Sequence, residues 1–254
     1  MKIAIVGGSF DPIHNGHIQM ANQSLQALQV DEVWFMPTSN TPLKNRELTL
    51  DQERLAMIDL VVQKNPRFKV CTIELERAGK SYTYDTLKKL IKTYPEHEFY
   101  WIIGNDQLEQ FDKWYHADEL VKMAHFVCFD REGKLSESKY DIMCMRMPSV
   151  PVSSSEIRLG NKLNYLPEDV LRYIYRNRLY VKDFVAARLT EKRYKHSLSV
   201  AKLCEDFALN NGYDMHIAYY IGLFHDIAKY MPKDEMIKWM NSICPENMEY
   251  PVAV

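Results

Sequence analysis

The chain has 254 residues, 46% of them hydrophobic, with 32 basic and 34 acidic side chains and a formal net charge of −2. That length holds one large or two modest domains, and the hydrophobic share supplies a real core rather than a disordered tail. The balanced charge excludes a basic nucleic-acid scaffold, and the lack of an 18-residue apolar run excludes a helical membrane span.

The elements follow in chain order. Residues 1–6 are an apolar run that breaks at Gly7-Gly8, the pattern of a buried parallel strand ending in a loop. Residues 18–28 read as a helix and residues 32–36 as a second strand, closed by Pro37. A helix follows over 51–64 with Asp51 as its N-cap, then a short strand over 68–73. Residues 84–94 are amphipathic, with Leu87, Leu90 and Ile91 at helical spacing. The run 98–103 is an apolar strand ending at Gly104, and 126–129 and 142–145 are later strands. Residues 153–160 and 167–177 close the series as helices. Such alternation predicts an α/β fold, a Rossmann-like doubly wound parallel sheet with helices on both faces. Ligands in these sheets sit outside the carboxyl ends of the strands, where segments 7–17, 37–44 and 104–114 converge.

The character changes near residues 180–183. No strand signal remains, and 191–210, 214–229 and 233–240 read as helices punctuated by Gly212 and Pro232. This predicts two domains, 1–181 and 182–254, the second a small all-α segment that is short for an independent globule. The chain opens on a strand with no signal peptide. Its five cysteines, Cys71, Cys128, Cys144, Cys204 and Cys244, form no Cys-x-x-Cys pair. A reduced cytoplasm is the expected setting.

The loop Gly7-Gly8-Ser9-Phe10-Asp11-Pro12-Ile13-His14-Asn15-Gly16-His17 puts two histidines at the mouth of a helix, where Gly16 lets the backbone turn closely. A helix start with adjacent histidines suits a polyphosphate. The string fits neither the G-x-G-x-x-G fingerprint nor the G-x-x-x-x-G-K-[ST] loop. It closely resembles the (T/H)xGH signature of the nucleotidyltransferase superfamily. In adenylyl transfer a phosphate nucleophile attacks the α-phosphorus of ATP and pyrophosphate leaves, so cations and N–H donors must offset the charge. His14, His17, Lys44 and Arg158 are the candidates, with Mg²⁺ accompanying ATP. Val152-Ser153-Ser154-Ser155-Glu156-Ile157-Arg158 offers hydroxyls and N–H groups at a helix start with Arg158 one turn on. Alone it reads as an N-cap; beside the histidine loop it reads as a phosphate site.

Residues 1 to about 180 resemble bacterial nicotinate-nucleotide adenylyltransferases. The matching segments are 7–17, 37–44, Ser81-Tyr82-Thr83-Tyr84-Asp85-Thr86-Leu87, 102–114 and 152–158. One departure is Asn40-Thr41-Pro42-Leu43-Lys44, where the family usually has a histidine before the lysine. The resemblance implies ATP binding by Gly7, Gly8, Ser9, Phe10, Gly16, Gly104, Asp106, Ser154 and Ser155. It implies that Ser81, Tyr82 and Thr83 hold the carboxylate of nicotinate mononucleotide, while Trp114 stacks on the pyridine, and it puts a basic helix residue at Arg54. The alternatives are an adenylyltransferase for nicotinamide mononucleotide or phosphopantetheine, and a non-catalytic nucleotide sensor.

In the second segment, His-Asp at 225–226 and His196 upstream offer imidazole and carboxylate ligands, a set that suits Fe or Mn. With the surrounding His-Ser-x-x-Val-Ala and Gly-Leu-x-His-Asp-Ile-Ala-Lys, the segment resembles the start of an HD-domain phosphohydrolase of the symmetrical diadenosine-tetraphosphate type. No histidine follows Asp226. Asp234, Glu235, Glu246 and Glu249 do not match the family's final ligand. The expectation is therefore an incomplete site (His196, His225, Asp226), either in a truncated chain or in an HD remnant that has lost its activity.

Overall fold

The N-terminal apolar run forms β1 (Lys2–Gly8), and its side chains are buried from Ile3 to Val6. The computed structural model describes residues 1–38, 48–76, 82–130 and 138–237. The chain divides into two units, Met1–Leu179 and Tyr180–Val254.

In the first unit, β1 is followed by α1 (Asn15–Ala27), β2 (Glu32–Pro37), α2 (Asp51–Val62), β3 (Phe68–Val70) and α3 (Thr83–Thr93). Next come β4 (Glu98–Gly104), α4 (Asn105–Leu108), α5 (Ala117–Met123), β5 (His125–Asp130), β6 (Met143–Arg146), α6 (Ser154–Arg158) and α7 (Glu168–Arg176). The strands lie in the order β3-β2-β1-β4-β5-β6, and every neighbouring pair is parallel. This is the doubly wound sheet expected from the alternation. Strand β1 pairs with β2 on one side and β4 on the other. The chain therefore leaves the sheet in opposite directions there, and the loops after β1 and β4 part to leave a crevice.

Alternate residues of each strand serve opposite faces. Ile3 and Ile5 of β1, Trp34 and Met36 of β2 and Trp101 and Ile103 of β4 pack in one cluster with Leu87 and Leu90 of α3 and Leu120 of α5. Their strand neighbours Ala4, Val6, Val33, Phe35 and Ile102 are buried on the other face, where α1 and α2 lie against β1, β2 and β3.

Two expectations are corrected in this unit. Strand β3 stops at Val70, because Cys71 makes one further bond to Phe35 and the chain then turns, with the Leu75 amide on the Thr72 carbonyl at 2.8 Å. Helix α2 is capped by Leu50, not Asp51. The Asp51 carboxylate is drawn into an ion pair with Arg54 one turn on. Helices α4 and α5 did not stand out in the sequence, being only 4 and 7 residues long.

The second unit contains α8 (Val181–Ala186), α9 (Glu191–Asn211) and α10 (Met215–Phe224). The Thr190 hydroxyl accepts from the Arg193 amide to start α9, and Gly212, at φ +73°, ends it in the left-handed region that glycine tolerates. Asp214 accepts from the His216 and Ile217 amides, both at 2.9 Å, to start α10. That helix was expected to run to residue 229 and stops at Phe224. The reason is local: the Gly222 carbonyl bonds His225 Nδ1 at 2.6 Å. Tighter three-residue bonds follow, Ile227 to Phe224 and Lys229 to Asp226, both 3.0 Å. Val185, Leu189, Ala201 and Leu223 form the unit's buried core.

Helices α9 and α10 approach closely where Gly222 faces Ala201. A Cβ on Gly222 would lie 2.7 Å from Ala201 Cα and 2.9 Å from its amide nitrogen. Backbone atoms cannot rotate away, so the helices would have to separate. Gly222→Ala is expected to destabilise this unit by about 1–3 kcal/mol. The measurement is the midpoint of urea-induced loss of helical circular dichroism in the full chain. An unchanged midpoint would show that the two helices are not held at this distance.

Candidate active site

The loop between β1 and α1 is fixed by its own histidines. His14 caps α1: its Nδ1 accepts from the Gly16 amide at 3.2 Å, while His17 Nδ1 accepts from the His14 amide, also at 3.2 Å. The two rings stack at 3.8 Å. A ring nitrogen that accepts an N–H bond carries no proton, so this geometry assigns the Nε2–H tautomer to both imidazoles. Gly16 is required here, since a Cβ would meet the His14 ring at 3.0 Å. Phe10 adopts φ +46°, rare for a side chain of that size. It is held there by complete burial, edge-on to His17 at 4.9 Å and to Phe35 at 5.8 Å.

Side chains from distant elements occupy the loop's carbonyls. Arg54 of α2 is fully buried and donates to the Ser9 carbonyl at 2.6 Å and the Thr49 carbonyl at 3.1 Å. Arg158 of α6 donates to the Asp11 carbonyl at 2.6 Å and to Ser155 Oγ at 3.1 Å. Ser154 Oγ donates to the Pro12 carbonyl at 2.9 Å. Helix α6 is itself anchored by a capping box. Ser153 Oγ accepts from the Glu156 amide, and the Glu156 carboxylate accepts from the Ser153 amide.

These elements enclose a cleft of about 530 Å³ at the carboxyl ends of β1 and β4. It gathers ten of the sequence-predicted residues: Gly7, Gly8, Ser9, His14, His17, Gly104, Asp106, Ser154, Ser155 and Arg158. Asp106 is the carboxylate that lines the cleft among the described residues. Phe10 and Gly16 lie behind this surface, supporting the histidines. Gln107 also lines it, accepting from the Gly104 amide at 3.2 Å.

The residues expected at the pyridine end are not among those lining this cleft. Lys44 and Ser81 lie outside the described residues. Trp114 is half-buried, tilted against Phe111 at 5.2 Å and edge-on to Phe126 at 6.4 Å. Thr83 begins α3. Tyr82 precedes it as N-cap and meets Tyr115, the residue after Trp114, at 5.2 Å. Tyr84 stacks on His116 at 4.5 Å and donates to Glu119 at 2.7 Å. That bond raises the tyrosine's pKa and lowers the glutamate's. Tyr115 and His116, adjoining Trp114, are the aromatic partners of Tyr82 and Tyr84 that the sequence pattern did not assign. That pattern marked Arg54 without assigning the contacts that the structure now supplies.

The second unit brings its three predicted ligands together. One ligand atom each from His196, His225 and Asp226 lies within 4.8 Å of the others. His196 projects from α9, whereas His225 and Asp226 sit in the turn after α10 rather than on the helix. Asp226 Oδ2 is 3.3 Å from His225 Nε2 and 4.0 Å from His196 Nε2. Burial pushes the Asp226 pKa up, but Arg193, His225 and Lys229 outweigh it and hold the carboxyl below its usual range. Two imidazoles and a carboxylate fit a borderline divalent ion.

Two family models match the chain, one in each unit. Residues 5–160 match the cytidylyltransferase-like family, and residues 193–247 match the HD domain. A protein from Geobacillus kaustophilus, named a probable nicotinate-nucleotide adenylyltransferase, is 45% identical over 185 residues, 70% of this chain and 86% of its own. A Bacillus licheniformis protein of the same name is also 45% identical, over 98% of its length. The solved nicotinic acid mononucleotide adenylyltransferase of Plasmodium falciparum, complexed with NaAD, superposes with a TM-score of 0.61 at 26% identity. It covers 72% of this chain and 98% of its own. The chain belongs to the nicotinate-nucleotide adenylyltransferase family and carries an HD domain after the catalytic fold.

Proposed function

We propose that residues 1–181 transfer the adenylyl group of ATP to nicotinate mononucleotide, giving deamido-NAD and pyrophosphate, and that residues 182–254 are an HD-type segment that holds a divalent metal at His196, His225 and Asp226. The observation that carries the first reading is the paired histidine geometry. Both imidazoles keep Nε2 as donor because backbone amides occupy Nδ1, and both line the cleft with Arg158.

The chemistry asks for little more. A mononucleotide phosphate oxygen forms a bond to the α-phosphorus, and the bond from that phosphorus to the bridging oxygen of pyrophosphate breaks. A phosphate nucleophile needs no base, so the protein's task is alignment and charge stabilisation. His17 donates to an α-phosphate oxygen as charge grows there, and His14 supports the same triphosphate. Arg158 offsets its charge, and Lys44 is assigned the same task from the family pattern. Gly7, Gly8 and Ser9 admit the nucleotide closely, with Gly104 and Asp106 on the opposite strand end and Ser154 and Ser155 at the phosphates. Mg²⁺ accompanying ATP would screen the triphosphate charge, and Asp106 is the one carboxylate lining the cleft among the described residues. No helix among the described residues is long and apolar enough to cross a membrane, and the reaction takes place on small substrates in the reduced cytoplasm.

His17→Ala is expected to lower pyrophosphate release by about 10²–10³-fold, the usual cost of one lost oxyanion donor. The check is steady-state turnover with ATP and nicotinate mononucleotide, alongside a melting curve showing the fold intact. Near wild-type turnover would remove His17 from the catalytic groups.

The pyridine end is assigned to Ser81, Tyr82, Thr83 and Trp114. Donors set for a carboxylate are left unpaired by an amide, so the acid should be preferred by roughly 10²-fold or more in kcat/KM. Side-by-side assays of nicotinate and nicotinamide mononucleotides test this, and equal efficiency would sink the assignment. Trp114→Ala should raise KM for the mononucleotide far more than for ATP.

A further inference from the structure

The HD-type cluster already holds a cation. Arg193, one turn before His196 on α9, places Nη1 2.8 Å from Asp226 Oδ2. That oxygen is also the one nearest both histidines, 3.3 Å from His225 Nε2 and 4.0 Å from His196 Nε2. Lys229 stands on the other carboxylate oxygen, Oδ1, at 3.8 Å. Asp226 is largely shielded, with its side chain 17% exposed, and Arg193 is more covered than Lys229, at 28% against 44%.

Ligand atoms around one divalent ion lie about 2.0–2.2 Å from it, which puts neighbouring ligands roughly 3 Å apart. His225 Nε2 and Asp226 Oδ2 are near that spacing already. An ion bound there would stand against the guanidinium, with like charges on the one carboxylate oxygen that both approach. We infer that Arg193 is a resident counter-cation for Asp226 that competes with the metal, so that metal binding requires the guanidinium to leave Oδ2. The inference rests on the reading of His196, His225 and Asp226 as metal ligands, and adds what sets the affinity of that site. Arg193 has somewhere to go: it also interacts with the Tyr230 phenol, which Thr190 and Arg193 together hold below the usual tyrosine pKa. The same pair gives the half-buried Asp226 carboxylate a counter-charge. Lys229 is more exposed and more distant, so it contributes less.

The test is Mn²⁺ binding to the full chain by isothermal titration calorimetry, with no substrate present. Wild type should show saturable binding that His225→Ala abolishes. Binding that is absent, or untouched by His225→Ala, would overturn the metal reading itself. Given that binding, Arg193→Gln should tighten Kd by about tenfold or more, which corresponds to 1.4 kcal/mol. Lys229→Gln should tighten it by about twofold or less. An unchanged or weaker Kd in Arg193→Gln, with wild-type helical circular dichroism, would overturn the competition while leaving the metal site standing. Should Arg193→Gln lose helical signal, Arg193→Met decides: it keeps the aliphatic stem and removes the charge. A Kd tighter than wild type supports the inference, and a Kd equal to or weaker than wild type overturns it.

Discussion

The constraint on which the first unit depends is the disposal of polar backbone in the loop between β1 and α1. A loop that must meet a polyphosphate cannot present carbonyl oxygens to it, yet each carbonyl needs a donor. Here Arg54 takes the Ser9 carbonyl, Arg158 that of Asp11 and Ser154 that of Pro12. These donors come from α2, a crossover helix, and from α6, which follows the last strand, so helices far apart in the chain are tied to the one loop. Arg54 is tolerated in complete burial because Ser9, Thr49 and Asp51 engage its guanidinium on all sides. The φ of +46° at Phe10 costs on the order of 1–3 kcal/mol. Burial of the whole ring offsets that strain and keeps His17 against a rigid wall.

Much of this was legible in the sequence for identifiable reasons. The strand–helix alternation depends on apolar runs broken by glycine and proline, and those signals are local. The histidine loop was legible because its residue types are unusual together, and five of its residues meet five predicted ones from other elements in one cleft. What the sequence hid were choices between local and distant partners. Asp51 has the chemistry of an N-cap, but Arg54 offers it a charge, and the pair wins over the cap. His225 lies in a helical pattern, but its ring captures the Gly222 carbonyl and ends the helix early. Tyr115 and His116 were hidden because aromatic residues in a short loop read equally well as core. Only the fold brings them to Tyr82 and Tyr84.

The two units handle charge in opposite ways, and each way fits the chemistry assigned to it. In the first, the polyanion is an incoming substrate, so the cleft is built from donors whose own partners are protein carbonyls and amides. Neutral imidazoles suffice for this. With Nδ1 accepting from a backbone amide, each ring keeps Nε2 as its N–H donor, which is all the proposed role asks, because a phosphate nucleophile needs no proton removed. In the second unit the charge is the protein's own. Asp226 cannot stand unpaired in a shielded turn, so Arg193 and Lys229 compensate it. A preformed donor site is ready whenever substrate arrives. A compensated carboxylate must give up one cation to receive another, so its occupancy is set by the difference between the two rather than by the strength of either.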